Sequence, residues 1–144
     1  MLKALSEEFK VDLYTGSDIS MLPRIHGKGL VKTQTEMPIV FHESHINLNI
    51  TAKSIRSGIP LRIWDILGCG GFCITNYQSE LPEYFTIGEE IETYSSKEEL
   101  LDKCRYYLEY ETKRKEIAQN AFDKTRSHHT YLIRVGQLME LALT

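Results

Sequence analysis

The sequence predicts an α/β protein: a parallel sheet of about five strands with flanking helices. Three observations lead there. Residues 46–76, INLNITAKSIRSGIPLRIWDILGCGGFCITN, run as strand, polar loop, helix, double glycine and strand, which is one βαβ unit. Strand-like and helix-like segments also alternate along the rest of the chain, as right-handed crossovers require. With 144 residues, 42% of them hydrophobic and 26% charged, the chain has the material for one compact domain with a core.

Within the βαβ unit, Ile46, Leu48 and Ile50 alternate with Asn47 and Asn49, as in a strand. Arg56, Ser57 and Gly58 lead to Pro60, whose fixed φ suits the first turn of a helix. Leu61, Ile63, Trp64, Ile66 and Leu67 supply the apolar surface of that helix, and Arg62 and Asp65 form an i,i+3 pair. Cys69-Gly70-Gly71 ends it. Phe72 to Ile74 is a short apolar run that fits a strand buried on both faces, and Thr75-Asn76 places polar groups at its carboxyl end. Ligands of open α/β sheets bind beyond that edge.

The remaining elements follow in order. Leu2, Leu5 and Phe9 have helical spacing, and Val11 to Tyr14 alternates as a strand that Thr15-Gly16-Ser17-Asp18 terminates. Residues 19–29 lack periodicity. Leu30 to Thr33 is expected as a second short strand, and a helix running to Ser44 with Met37, Val40 and Phe41 inward. After the central unit, Leu81 to Phe85 reads as a short helix or turn and Glu90 to Tyr94 as a strand at one edge. Ser96 and Glu99 form a capping box ahead of Leu100, Leu101, Cys104, Tyr107 and Leu108. A helix over 112–125 turns Ile117, Ala118, Ala121 and Phe122 inward. Thr130 caps a last one whose expected inner face is Tyr131, Val135, Leu138 and Ala142.

Charge and cysteine content narrow the function classes. A net charge of -3 and a pI near 6.0 provide no electrostatic attraction for nucleic acid or an anionic membrane, so neither is expected as a partner. No apolar run approaches the roughly 18 residues of a transmembrane segment. Cys69, Cys73 and Cys104 are odd in number, lack metal-ligand spacing and sit in apolar-rich elements, which predicts buried free thiols and a cytoplasmic location. The five histidines are scattered, and no metal site is expected.

One set of residues carries a family resemblance: Ser57 to Arg62, Trp64-Asp65-Ile66-Leu67, Gly70-Gly71-Phe72, Thr75-Asn76-Tyr77-Gln78, Leu81 and the late His129-Thr130-Tyr131. In these the chain resembles the nucleotide-sugar-binding half of GT-B glycosyltransferases, and more closely the CgeB-type, spore-maturation-protein-like domain, over nearly its whole length. The resemblance implies a Rossmann-like domain spanning residues 1–144, the C-terminal half of a GT-B fold. It also implies a strand ahead of Leu2 and a separate acceptor-binding domain, so the sequence is expected to be a domain cut slightly late or a natural fragment. With that central strand absent, Val11–Tyr14 or Ile46–Ile50 is expected to expose an edge and promote self-association. Retaining GT-B enzymes carry two acidic residues across the loop and helix, the first near the donor sugar and the second on the ribose. The corresponding positions here are Ser57 and Asp65, so ribose binding carries over and the sugar contact and stereochemistry stay open. The segment that resembles Gly29-Leu30-Val31-Lys32 lies beside the base in the family.

Each candidate residue also has a plainer reading. From helix position alone, Asp65 is a surface partner for Arg62; on the resemblance it accepts from a ribose diol. Gly58 and Ile59 open a helix, and their N–H groups, expected to be free, with the macrodipole suit a diphosphate. Lys53 and Arg56 are solvated charges or phosphate partners. Thr75 and Asn76 belong to an ordinary turn or face ligand. His128, His129 and Arg134 are read as capping and packing residues, and no catalytic residue is assigned. The leading expectation is a donor-binding domain for a nucleoside-diphosphate sugar, serving an acceptor glycan, protein or small molecule, without metal or other cofactor and without turnover by the isolated chain. The alternative is a non-catalytic nucleotide-binding or scaffolding module. A receiver-type signalling domain is disfavoured because Asp12 lies inside its strand.

Overall fold

The computed structural model describes residues 1–52 and 58–143, and these divide into two compact units, Met1–Met37 and Pro38 onward. All strand pairs are parallel, as the alternation predicted, and helices flank them in a Rossmann-like α/β arrangement. The five strands form two sheets, one of two strands and one of three.

The first unit contains α1 (Leu2–Glu8), β1 (Asp12–Leu13) and β2 (His26–Gly27). Leu5 is the buried residue of α1, and Phe9 closes it with its N–H on the Leu5 carbonyl. The second strand is not Leu30–Thr33. His26 and Lys28 donate their N–H groups to the Val11 and Leu13 carbonyls, which pairs the earlier segment with β1. Gly29, at φ 74°, then turns the chain out of extended geometry, and Leu30 is exposed. His26–Gly27 is not an apolar run, so backbone pairing with β1 rather than apolar composition places the second strand.

The second unit contains all but the first residue of α2 (Met37–Glu43), then β3 (Asn47–Asn49), α3 (Leu61–Gly68), β4 (Cys73–Asn76), α4 (Leu81–Tyr84), β5 (Glu92–Tyr94), α5 (Lys97–Glu109), α6 (Glu111–His128) and α7 (Tyr131–Leu143). The sheet order is β3-β4-β5, so β5 is the expected edge strand and β4 is central. The central position explains why Cys73, Ile74 and Thr75 are all buried. β3, whose alternation defined it in the sequence, has one paired neighbour among the described residues.

The main core lies between the sheet and the layer made by α3, α4 and α6: Ile63, Ile66, Leu67, Cys73, Leu81, Phe85, Ile91 and Ala121. Leu100, Cys104 and Tyr107 of α5 are buried as their spacing predicted. Ser96 caps α5 by accepting from the Glu99 N–H at 3.1 Å, while the Glu99 carboxylate accepts from Ser95 N–H at 2.8 Å. The capping box is therefore displaced by one residue on its return bond.

Two glycines fix the α3–β4 turn. Gly70, at φ 74°, donates to the Leu67 carbonyl and Gly71 to the Ile66 carbonyl, a Schellman ending. A Cβ on Gly71 would lie 2.7 Å from both the Phe41 carbonyl oxygen and the Asn47 side chain, so the chain passes there only without one. Asn47 fills the remaining space by donating to the Phe41 and Phe72 carbonyls at 2.8 and 3.2 Å.

Three expectations about burial are corrected. No described residue of α7 is buried: Tyr131, Val135 and Leu138, expected inward, are exposed, as are Leu132 and Met139. Helical periodicity reveals an apolar face but not whether another element covers it. Leu61 is exposed in the first turn of α3. Of the three cysteines, Cys73 and Cys104 are buried and Cys69 is half-buried at the α3 C-cap. All three are free thiols.

Candidate functional site

An open groove of about 960 Å³ runs along α3 in the second unit. Its walls are the approach to α3 (Gly58 and Ile59), the outer side of α3 (Leu61, Trp64, Asp65 and Gly68), and α7 with Arg134, Leu138 and Leu141. Phe122, Thr125 and Arg126 from the end of α6, its C-cap His129, and Glu80 and Tyr84 from the α4 segment also line it. The sequence spacing places Leu61, Asp65 and Gly68 on one helical side, and the short α3–β4 turn keeps that side turned away from the sheet.

Of the predicted site residues, the groove therefore brings together Gly58, Ile59 and Asp65. Asp65 is half-exposed, and its Oδ2 lies 3.7 Å from Arg62 Nη1, the i,i+3 ion pair expected from the sequence. Arg62 stands beside the groove lining, with its guanidinium carbon 5.6 Å from the centre of the Phe41 ring. The N–H of Gly58 is not free: it donates to Glu80 Oε2 at 2.8 Å. Gly58 takes φ 86°, a conformation that suits glycine. Arg56 and Ser57, together with Lys53, lie outside the described residues.

The other candidates stand elsewhere. Thr75 is fully buried, and its hydroxyl accepts from Asn49 Nδ2 at 3.0 Å. Asn76 Oδ1 accepts from the Thr51 N–H at 2.7 Å. Both side chains thus tie β4 to β3 and the segment that follows it. Lys32 belongs to the first unit, where its N–H donates to Glu36 Oε2 at 2.8 Å and its carbonyl accepts from Glu36 and Met37.

Several lining residues were read from the sequence as packing or capping groups only. Trp64 packs against Tyr84, Phe85 and His129 with ring centres 5.9, 5.1 and 4.8 Å away. His129 is also the C-cap of α6, and its Nδ1 lies 2.6 Å from Arg134 Nη2. That contact requires Nδ1 as acceptor and hence the proton, when neutral, on Nε2. Burial, followed by the nearby Arg134, His128 and Lys124, lowers the His129 pKa below its ordinary value. The packing role assigned to His129 and Arg134 from sequence agrees with these contacts. The Thr125 hydroxyl is buried without a hydrogen-bond partner among the described residues. Glu80 was missed because nothing in local spacing links it to Gly58 across 22 residues.

The thiols lie apart from this chemistry. Burial pushes the Cys73 thiol up to about 12, and burial with the neighbouring Asp65 charge raises Cys69. Among the described residues no group of three His, Cys, Asp or Glu side chains converges as a metal site, and no helix is long and apolar enough to cross a membrane.

The family model of glycosyl transferase-like proteins matches residues 1–140, nearly the whole chain. The chain belongs to this glycosyl transferase-like family, and its general chemistry is that of glycosyl transfer between a sugar donor and an acceptor. No curated protein matches the chain.

Proposed function

We propose that the chain binds a nucleoside-diphosphate sugar at the α3 end of the groove, as the donor-binding half of a CgeB-like glycosyltransferase of GT-B type. The observation that carries this reading is that Gly58, Ile59 and Asp65 line one groove in a chain that belongs to a glycosyl transferase-like family. Asp65 accepts from the two ribose hydroxyls, for which its half-exposed carboxylate has lone pairs to spare. The first turn of α3 directs the positive end of its dipole toward the diphosphate. Arg62, with Arg56 ahead of it in the sequence, adds positive charge. The same groups stabilise the diphosphate as it leaves, which lowers the barrier to transfer without a step that requires a metal ion.

Calorimetric titration with UDP, GDP and ADP tests the reading. Saturable one-to-one binding of at least one of them, weakened by Asp65→Ala, is the expected result. Absence of binding by all three at millimolar nucleotide would refute it. The chain alone is expected to transfer no sugar, since the acceptor in this reading is presented by another domain.

A further inference from the structure

Glu80 precedes α4 in the connection that leaves the carboxyl end of β4, and its carboxylate crosses to the connection that leaves the carboxyl end of β3. The bond from Gly58 N–H to Glu80 Oε2, 2.8 Å long, therefore joins two loops that follow neighbouring parallel strands. Both residues line the groove. A Cβ on Gly58 would meet nothing within 4 Å among the described residues, so Gly58 itself makes no packing contact, while Ile59 beside it packs against the core. A backbone N–H bonded to a carboxylate is about twice as strong a contact as a neutral one. It adds a directional tie to the chain just ahead of Ile59 and Pro60.

We propose that Glu80 is a positioning residue for the donor: it sets the turn at Gly58 and so aims Ile59 and the first turn of α3 at the ligand that Asp65 binds. This rests on the donor reading above. The opposite sign is physically reasonable too, because a carboxylate near a diphosphate repels it. Were repulsion or competition for the Gly58 N–H the dominant effect, removing Glu80 would tighten nucleotide binding. Positioning requires removal to weaken it.

The experiment compares wild type, Glu80→Ala and Glu80→Gln by amide hydrogen exchange and by titration with UDP and GDP, after thermal melts confirm that each is folded. In Glu80→Ala, exchange at Gly58 is expected to quicken about tenfold or more while β4 and the body of α3 are unchanged, and nucleotide affinity to fall about tenfold. Glu80→Gln keeps an oxygen acceptor and recovers most of both, which loss of charge repulsion alone would not produce. Unchanged exchange at Gly58, or tighter binding by Glu80→Ala, overturns the proposal. A wild type that binds neither nucleotide sinks the donor reading instead, and the exchange data still decide whether Glu80 holds the turn.

Discussion

Replacing Asp65 by alanine separates a ligand-binding carboxylate from a surface ion-pair partner, because the two roles predict different observables of different size. The structural cost is bounded by geometry. The Arg62 contact is long, 3.7 Å, and the side chains of the pair are 46% and 50% exposed. Solvent screens such a pair, so its loss costs under about 1 kcal/mol of stability. Asp65 also lies off the buried side of α3 made by Ile63, Ile66 and Leu67, so no cavity opens. If the carboxylate accepts from both ribose hydroxyls, its removal costs on the order of 2–3 kcal/mol of binding, the range for hydrogen bonds to charged groups. That is a loss of roughly thirtyfold to more than a hundredfold in affinity. Titration with the nucleotide that wild type binds, beside a thermal melt of both proteins, reads the two effects separately. Unchanged affinity in a folded Asp65→Ala protein would remove Asp65 from the site and leave it as the partner of Arg62.

Three further outcomes test the fold around the groove. Glu92 is buried at the start of β5, where it accepts from Lys103 Nζ at 2.9 Å, Tyr107 Oη at 2.7 Å and the Thr93 N–H at 2.8 Å. Glu92→Ala should destabilise by about 3 kcal/mol in urea melts, because the buried donors lose a charged acceptor, though Lys103 retains Glu99 at 2.9 Å. A cost under 1 kcal/mol would show that water replaces the carboxylate. Gly71→Ala should cost about 1–3 kcal/mol by forcing the α3–β4 turn away from Phe41 and Asn47; an unaltered melting midpoint would mean the turn has room. The lowered pKa of His129 makes the unfolded chain bind a proton more readily than the folded one, so stability rises with pH from below the folded pKa up to about 6.5 and then levels. His129→Gln should flatten that slope between pH 5 and 7, and a slope equal to that of wild type would assign it to another group.

How much was legible in the sequence follows from which interactions are local. Pro60 ahead of an amphipathic run, Gly70-Gly71 behind it and Ser96 three residues before Glu99 specify their helix ends through bonds within a few residues, and the structure has all of them. The parallel arrangement was equally readable, because helices between consecutive strands leave a right-handed crossover as the favoured connection. Asp65 on the open side of α3 followed from the period of the helix alone.

Other features depend on groups distant in the chain, which no local pattern encodes. The second strand formed at His26–Gly27 because the Val11 and Leu13 carbonyls supplied its partners, although Leu30–Thr33 has the better apolar composition. Thr75 and Asn76 stand at the strand end where ligands meet α/β sheets, yet their side chains bond to Asn49 and Thr51 and are turned into the structure. The stripe on α7 reads as a buried face, but burial is a property of two surfaces, and the sequence of one helix contains only one. Glu80 illustrates the same division for the site. Its identity is plain in the sequence, while its hydrogen bond to Gly58 exists only because adjacent parallel strands bring two loops to the same edge of the sheet.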